Sequence, residues 1–187
     1  MEKIVFSFLI TGFLLVGLNL TKAEAAIDNK PGDIIITKST SSSGITGHAG
    51  IYIGKITILH TSGRSTEPYP KTISEISWHN RYGQSKVIRP KSSTLGQNAA
   101  NMAVKYFKGK KIPFSIKDAV TKRNKDITKT YCSELVYYSY YKAGLELKVK
   151  SLYSPIWGKL KGLVQPYVYT NKDIVSHNNY KFIDNKW

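Results

Sequence analysis

The sequence predicts an α+β domain built on a mainly antiparallel sheet, and three features carry the prediction. Short β-rich runs bounded by Gly, Pro and Ser fill the first half after the leader, two stretches of helical periodicity fill the middle, and a β-like run from Tyr180 to Ile183 comes last. No internal repeat or interdomain linker breaks residues 26–187, which read as one domain long enough to bury a core.

The chain begins MEKIVFSFLITGFLLVGLNLTKAEAA, with Lys3, an apolar run from Ile4 to about Leu20, and the small residues Ala23 and Ala25 around Glu24. This is the pattern of a cleaved signal peptide, residues 1–25, and it predicts an exported, secreted or wall-associated protein. The apolar run is close to the ~20 residues that a membrane span needs, but the Ala-Glu-Ala ending favours cleavage after Ala25.

The Pro31-Gly32 turn precedes alternating apolar residues, so Asp33 to Lys38 is the first strand. The run from Ser39 to Gly47 is too rich in Ser and Gly for an element. HAGIYIGK and ITILHTSG then form a hairpin from His48 to Thr61, turning at Gly54 and Lys55. Alternation puts His48, Gly50, Tyr52 and Gly54 on one face, with Ala49, Ile51 and Ile53 on the other, toward a core. Residues Arg64 to Gln84, polar with Pro68 and Pro70, read as a long excursion, and Lys86 to Pro90 as another strand.

Leu95, Ala99, Met102, Ala103, Tyr106 and Phe107 share one helical face, which Gly109 ends. After the basic segment from Pro113 to Thr130, the stretch YCSELVYYSYYKAG repeats apolar residues at Leu135, Val136, Tyr140 and Ala143 and stops at Gly144. Thr130 is positioned to cap this helix, which places Cys132 in its first turn.

Cys132 is the sole cysteine. In an exported chain a lone thiol is a partner for another chain, a reactive group, or a small buried hydrophobe. A helix start favours negative charge and so eases thiolate formation. A thiol nucleophile also needs a base, usually a histidine held by a third group. Of the four histidines, His48 and His60 stand near the same end of the hairpin on strands ~4.8 Å apart, close enough to bond each other. His79 and His177 have no such partner. Tyr131 is a candidate to line an oxyanion pocket with the Cys132 N–H, Glu134 a candidate for the first-turn dipole, and the tyrosines from Tyr137 to Tyr141 core and rim. His48, His60 and Cys132 lack zinc-like local spacing, so neither a metal nor a cofactor is expected.

The motifs PGDIIIT, GHAGIYIG, ILHTSG and YCSELVYYSYYKAG resemble the permuted papain-like amidases of the YiiX kind, relatives of the NlpC-type cell-wall cysteine peptidases. The resemblance runs from about Pro31 to Ile183. It implies a half-barrel sheet packed on the cysteine helix, Cys132 as nucleophile, His48 as general base and His60 as the group orienting His48. Several relatives carry a carboxylate at the His60 position. In YTNKDIVSH, Asn171 and Lys172 stand where the family often has proline. The implied activity is hydrolysis of amide bonds through a Cys132 thioester, on peptidoglycan stem peptides. The resemblance also admits acyl transfer or lipid-amide hydrolysis, since related enzymes resemble lecithin-retinol acyltransferases. A non-catalytic wall-binding module is the alternative from another class.

The formal charge of +16 falls entirely on residues 26–187, because Glu2, Lys3, Lys22 and Glu24 cancel. No nucleic-acid-binding motif accompanies it, so the expected partners are anionic wall polymers, a peptidoglycan peptide or an acyl lipid. Association with cell walls should therefore weaken as salt rises, since exposed charges are screened within ~8 Å at physiological ionic strength. Sedimentation with purified walls at increasing salt checks this; binding that survives near-molar salt would contradict it.

Overall fold

The computed structural model describes residues 27–40, 47–116, 127–148, 152–154, 158–160 and 164–185. The expected leader (1–25), residues 41–46 of the Ser/Gly loop and residues 117–126 of the basic segment lie outside them.

The six-stranded sheet is antiparallel throughout, its strands running side by side in the order Lys71–Ser74, Thr57–His60, His48–Tyr52, Ile34–Thr37, Ser85–Pro90 and Tyr180–Asn185. Its strands are β1 (Ile34–Thr37), β2 (His48–Tyr52), β3 (Thr57–His60), β4 (Lys71–Ser74), β5 (Ser85–Pro90) and β8 (Tyr180–Asn185). Helices α1 (Glu75–Tyr82), α2 (Ser93–Phe107), α3 (Cys132–Lys142) and α4 (Lys172–His177) accompany it. A separate antiparallel pair, β6 (Leu152–Ser154) and β7 (Gly158–Leu160), and a 3-10 turn at Pro166–Thr170 follow α3.

The expected alternation is present, but both faces of the sheet are buried. Ile34, Ile36, Ala49, Ile51, Leu59 and Ile88 pack against α2 and α3 through Ala99, Ala103, Phe107, Leu135 and Val136. Ile35, Tyr52, Ile58, Ile73 and Val87 pack against Trp78 and Tyr82 of α1. The result is three layers with β1 and β2 at the centre.

The layer formed by α1 corrects the reading of Arg64 to Gln84 as an excursion, which in fact contains β4 and α1. Ser74 caps α1 by accepting the Ser77 N–H at 3.1 Å, and Trp78 and Tyr82, one turn apart, bury its only apolar stripe. The other α1 residues are polar or, like Ile76, exposed, and so dilute the helical pattern.

Helix α3 is buried on every side from Cys132 to Tyr140, as befits a helix between sheet and neighbours. Thr130 does not cap it. Its backbone is already committed to a bridge beside Phe114, donating to Pro113 O and accepting from Ser115 N–H at 3.0 Å each. The N-cap is Tyr131 in extended conformation, with no side-chain cap bond.

Two glycines let the layers close. Gly32 has φ +91°, and a Cβ built on it would lie 2.3 Å from the backbone of Gly96 in α2. The Gly32 carbonyl also accepts the Tyr140 hydroxyl of α3, so both helices are located against the start of β1. Gly32→Ala should cost roughly 2–3 kcal/mol, by conformational strain and overpacking together. Gly96→Ala, whose Cβ would meet its nearest atoms at 3.1 Å, should cost less. Denaturant midpoints of the two variants check the order.

Candidate active site

The site forms where the β2–β3 ladder ends. Pairing stops at Ile51–Leu59, although β2 continues back to His48. Along an antiparallel strand alternate N–H groups point to the same neighbour, and Ile53 donates to Thr57 O of β3 at 2.9 Å. Ala49, four residues back, therefore aims its N–H past the end of the ladder. There it meets the Cys132 sulfur.

This contact seats the thiol beside the residue following His48. The backbone N–H groups of Cys132 and Ser133 also point at the sulfur, and Ser133 Oγ lies 4.0 Å away. Cys132 thus occupies the first turn of α3, as the sequence predicts. Ser133 is fixed by a hydrogen bond to Val164 O, while its carbonyl accepts from the Tyr169 hydroxyl at 2.8 Å.

His48 Nε2 and His60 Nδ1 are 2.9 Å apart, and both rings are buried. Extending the register places His60 opposite Gly50, diagonal to His48 on the same face. Trp78 stacks on His48 at 5.1 Å and meets His60 edge-on at 5.7 Å, while Tyr82 lies 4.8 Å from His48. Gly50 makes room for the indole, because a Cβ there would approach Trp78 to 3.2 Å and Ile58 to 2.6 Å. The Trp78 N–H donates to Ser85 Oγ at 2.9 Å, fixing the ring that backs both imidazoles. Since His60 holds Nε2 of His48, Nδ1 is the nitrogen left to serve a thiol.

Electrostatics depart from the sequence expectation of an eased thiolate. Burial is the dominant influence and raises the Cys132 thiol above its usual value, although the surrounding N–H groups pull it down. Burial, and then the charge of His60, lowers His48 well below an ordinary imidazole, and burial brings His60 to about 4. Both groups are therefore neutral at rest, an arrangement suited to proton transfer during attack rather than a standing ion pair.

The remaining predicted residues divide. Phe114 packs on Tyr131 and Cys132 and also lies against Gly63, just beyond β3. The Tyr131 hydroxyl accepts the Val164 N–H at 2.8 Å, which anchors the segment beyond β7 to the start of α3. Glu134 is buried rather than solvated, and Tyr137, Tyr138 and Tyr140 are core while Tyr141 is exposed. His79 and His177 bond the Gly83 and Asp173 carbonyls, away from the pair. Sequence reasoning missed Trp78, Tyr82, Phe114 and the ion pair of Glu67 with Arg81 below His60. The Trp78–Tyr82 spacing was the available signal.

A cysteine at a helix start and a histidine pair on an antiparallel sheet define a papain-like arrangement, and a solved structure shares the fold. This is metalloprotein yiiX from Escherichia coli O157:H7, 19% identical, with a TM-score of 0.56 over 86% of this chain and 99% of that one. The chain belongs to the family described as "Lipoprotein N-acylation protein LnsA-like", whose profile matches residues 3–185. An "Uncharacterized 30.3 kDa protein" of Bacillus thuringiensis is 33% identical over 150 residues, 74% of this chain and 51% of that protein. The chain thus spans about half the length of that relative. Although yiiX is described as a metalloprotein, among the described residues of this chain no three His, Cys, Asp or Glu side chains gather as a ligand set.

The buried neutral histidines make stability depend on pH. Between about 4, the folded value of His60, and 6.5 the unfolded chain binds a proton that the native state refuses. Stability should be full above that window and fall on acidification through it, by roughly 1.4 kcal/mol per pH unit for each histidine. In His60→Gln the slope of unfolding free energy against pH should drop by about one such increment. Denaturant titrations from pH 7 to 4 measure it.

Proposed function

We propose that this protein is a cysteine acyltransferase of the cell envelope that carries an acyl group as a thioester on Cys132 and passes it to an amine. The carrying observation is the buried His48–His60 pair at 2.9 Å, with the N–H of the next residue, Ala49, turned toward the Cys132 sulfur at the start of α3. Membership of a family described by lipoprotein N-acylation supports an amine acceptor at a lipoprotein, and with it an envelope location. The order of histidine strand before cysteine helix supports the permuted papain-like assignment.

In the first step Sγ attacks the carbonyl carbon of an ester donor while His48 Nδ1 takes the thiol proton. The C–O bond breaks, and His48 returns that proton to the leaving alkoxide. In the second step the acceptor nitrogen attacks the thioester, the C–N bond forms and the C–S bond breaks. His48 moves the amine proton to sulfur. Developing negative charge on the carbonyl oxygen falls to backbone N–H groups at the start of α3, with Tyr131 lining the pocket.

Burial of Cys132 and His48 among Phe114, Trp78 and Tyr82 favours transfer over hydrolysis, because water has poor access to the thioester. Amide hydrolysis of wall peptides uses the same residues with water as acceptor, and is the second reading. A signal segment at residues 1–25 and a basic surface suit either.

The full chain, incubated with phospholipid vesicles and a diacylated lipopeptide with a free N-terminus, should give the N-acylated lipopeptide by mass spectrometry. It should also show an acyl adduct on Cys132 that hydroxylamine removes. Cys132→Ala should give neither, and His48→Ala should slow both by 100-fold or more, the usual scale of general-base catalysis. Product formation by Cys132→Ala would overturn the proposal. Wall-peptide cleavage without N-acyl product would favour the hydrolase.

A further inference from the structure

Behind the histidine pair lies an ion pair that the two catalytic steps do not use. Arg81, near the end of α1, donates from Nη1 to Glu67 Oε2 at 2.8 Å and from Nη2 to Oε1 at 2.9 Å, a bidentate geometry. Glu67 is 8% exposed and also accepts the Ser62 hydroxyl at 2.8 Å. Ser62 is two residues from His60, and Arg81 immediately precedes Tyr82, the ring against His48. One pair therefore joins the segment leaving β3 to the helix that backs both imidazoles.

The surroundings of His60 make this pair consequential. His60 Nε2 is buried and finds no hydrogen-bond partner among the described residues, so no direct bond fixes that side of the ring. The groups that act on it are His48 from β2, Arg64 and Glu67 from the segment after β3, Lys71 from β4, and Arg81 from α1 with Tyr82 beside it. Among these charged groups Glu67 alone is negative. It is held ionised, with its carboxyl pulled down to about 2, chiefly by the Arg81 bonds.

We infer that Glu67 and Arg81 are positioning residues that set, through His60, the charge and alignment of the His48–His60 pair. The inference rests on the reading of Cys132 and His48 as nucleophile and base. When His48 takes a proton, positive charge appears in a buried place already faced by Arg81, Arg64 and Lys71. Glu67 offsets it. Arg81 keeps that carboxylate from overcompensating and stands 5.8 Å from the centre of the Tyr82 ring that lies against His48.

The two members of the pair consequently act with opposite sign. Removing a negative charge makes every nearby proton easier to lose, and removing a positive charge makes it harder. The readout is the acid limb of the pH profile for iodoacetamide alkylation of Cys132 in the full chain, which needs no substrate. Glu67→Gln should move the limb to lower pH and Arg81→Met to higher pH, each by roughly one unit for a charge several Å away. The double variant should return close to wild type, and Arg81→Lys, which keeps the charge, should stay there.

Far-UV circular dichroism and cooperative unfolding check that each variant is folded. If Glu67→Gln does not fold, the contrast between Arg81→Met and Arg81→Lys carries the test alone. Shifts of the same sign, a loss of amplitude without a shift, or equal behaviour of Arg81→Met and Arg81→Lys would overturn the inference and leave a purely structural clamp. Failure of the catalytic reading has a separate signature: His48→Ala would then leave the wild-type profile unchanged.

Discussion

The hydrogen bond between His48 and His60 is the constraint on which the rest of the structure converges. It requires two strands in one register, both side chains on the face turned toward α1, and a cover that excludes water. Trp78 supplies the cover, Gly50 makes room for it, and Ser85 fixes its indole. A one-residue slip of β3 would turn His60 to the opposite face, toward α3, and abolish the pair. The alternation of isoleucines that fixes the register is thus also what orients the imidazole pair.

The thiol sits where the sheet is incomplete, beside the strand residue that follows His48. His48 belongs to the layer shared with α1, whereas α3 packs on the other face, so a continuous β2–β3 ladder would separate them. The unpaired Ala49 N–H marks the gap and supplies the sulfur with a donor. Burial then decides the resting state. It raises the thiol and lowers both imidazoles, and the favourable contribution of the helix start is the smaller effect.

Much of this was legible in the sequence where local pattern and tertiary context agree. Ile34 to Thr37, the hairpin from His48 to His60 and the α2 stripe follow their periods, and the pairing of the histidines followed from hairpin geometry alone. The layer with α1 was not legible, because an eight-residue helix with two buried aromatics among polar residues has too short a stripe to stand out. Thr130 as a cap was a sound local expectation overridden by its bridge to Phe114, a contact made beyond its own helix. The eased thiolate failed for a similar reason, since a helix terminus is local and desolvation comes from everything packed around it. Glu67 and Arg81, fourteen residues apart, carried no pattern; only the turn of α1 brings them together.

The order of elements along the chain gives the site a history as well as a geometry. Strands β1 to β5, with α1, occupy one continuous stretch from Ile34 to Pro90, and that stretch contains both histidines and the aromatic rings around them. These contacts close short loops, whereas bringing α3 to β2 closes the whole span from Ala49 to Cys132. A chain emerging from its N-terminus therefore presents the complete imidazole scaffold while the cysteine is still unmade. The thiol arrives later, at a seat whose imidazole side is already built.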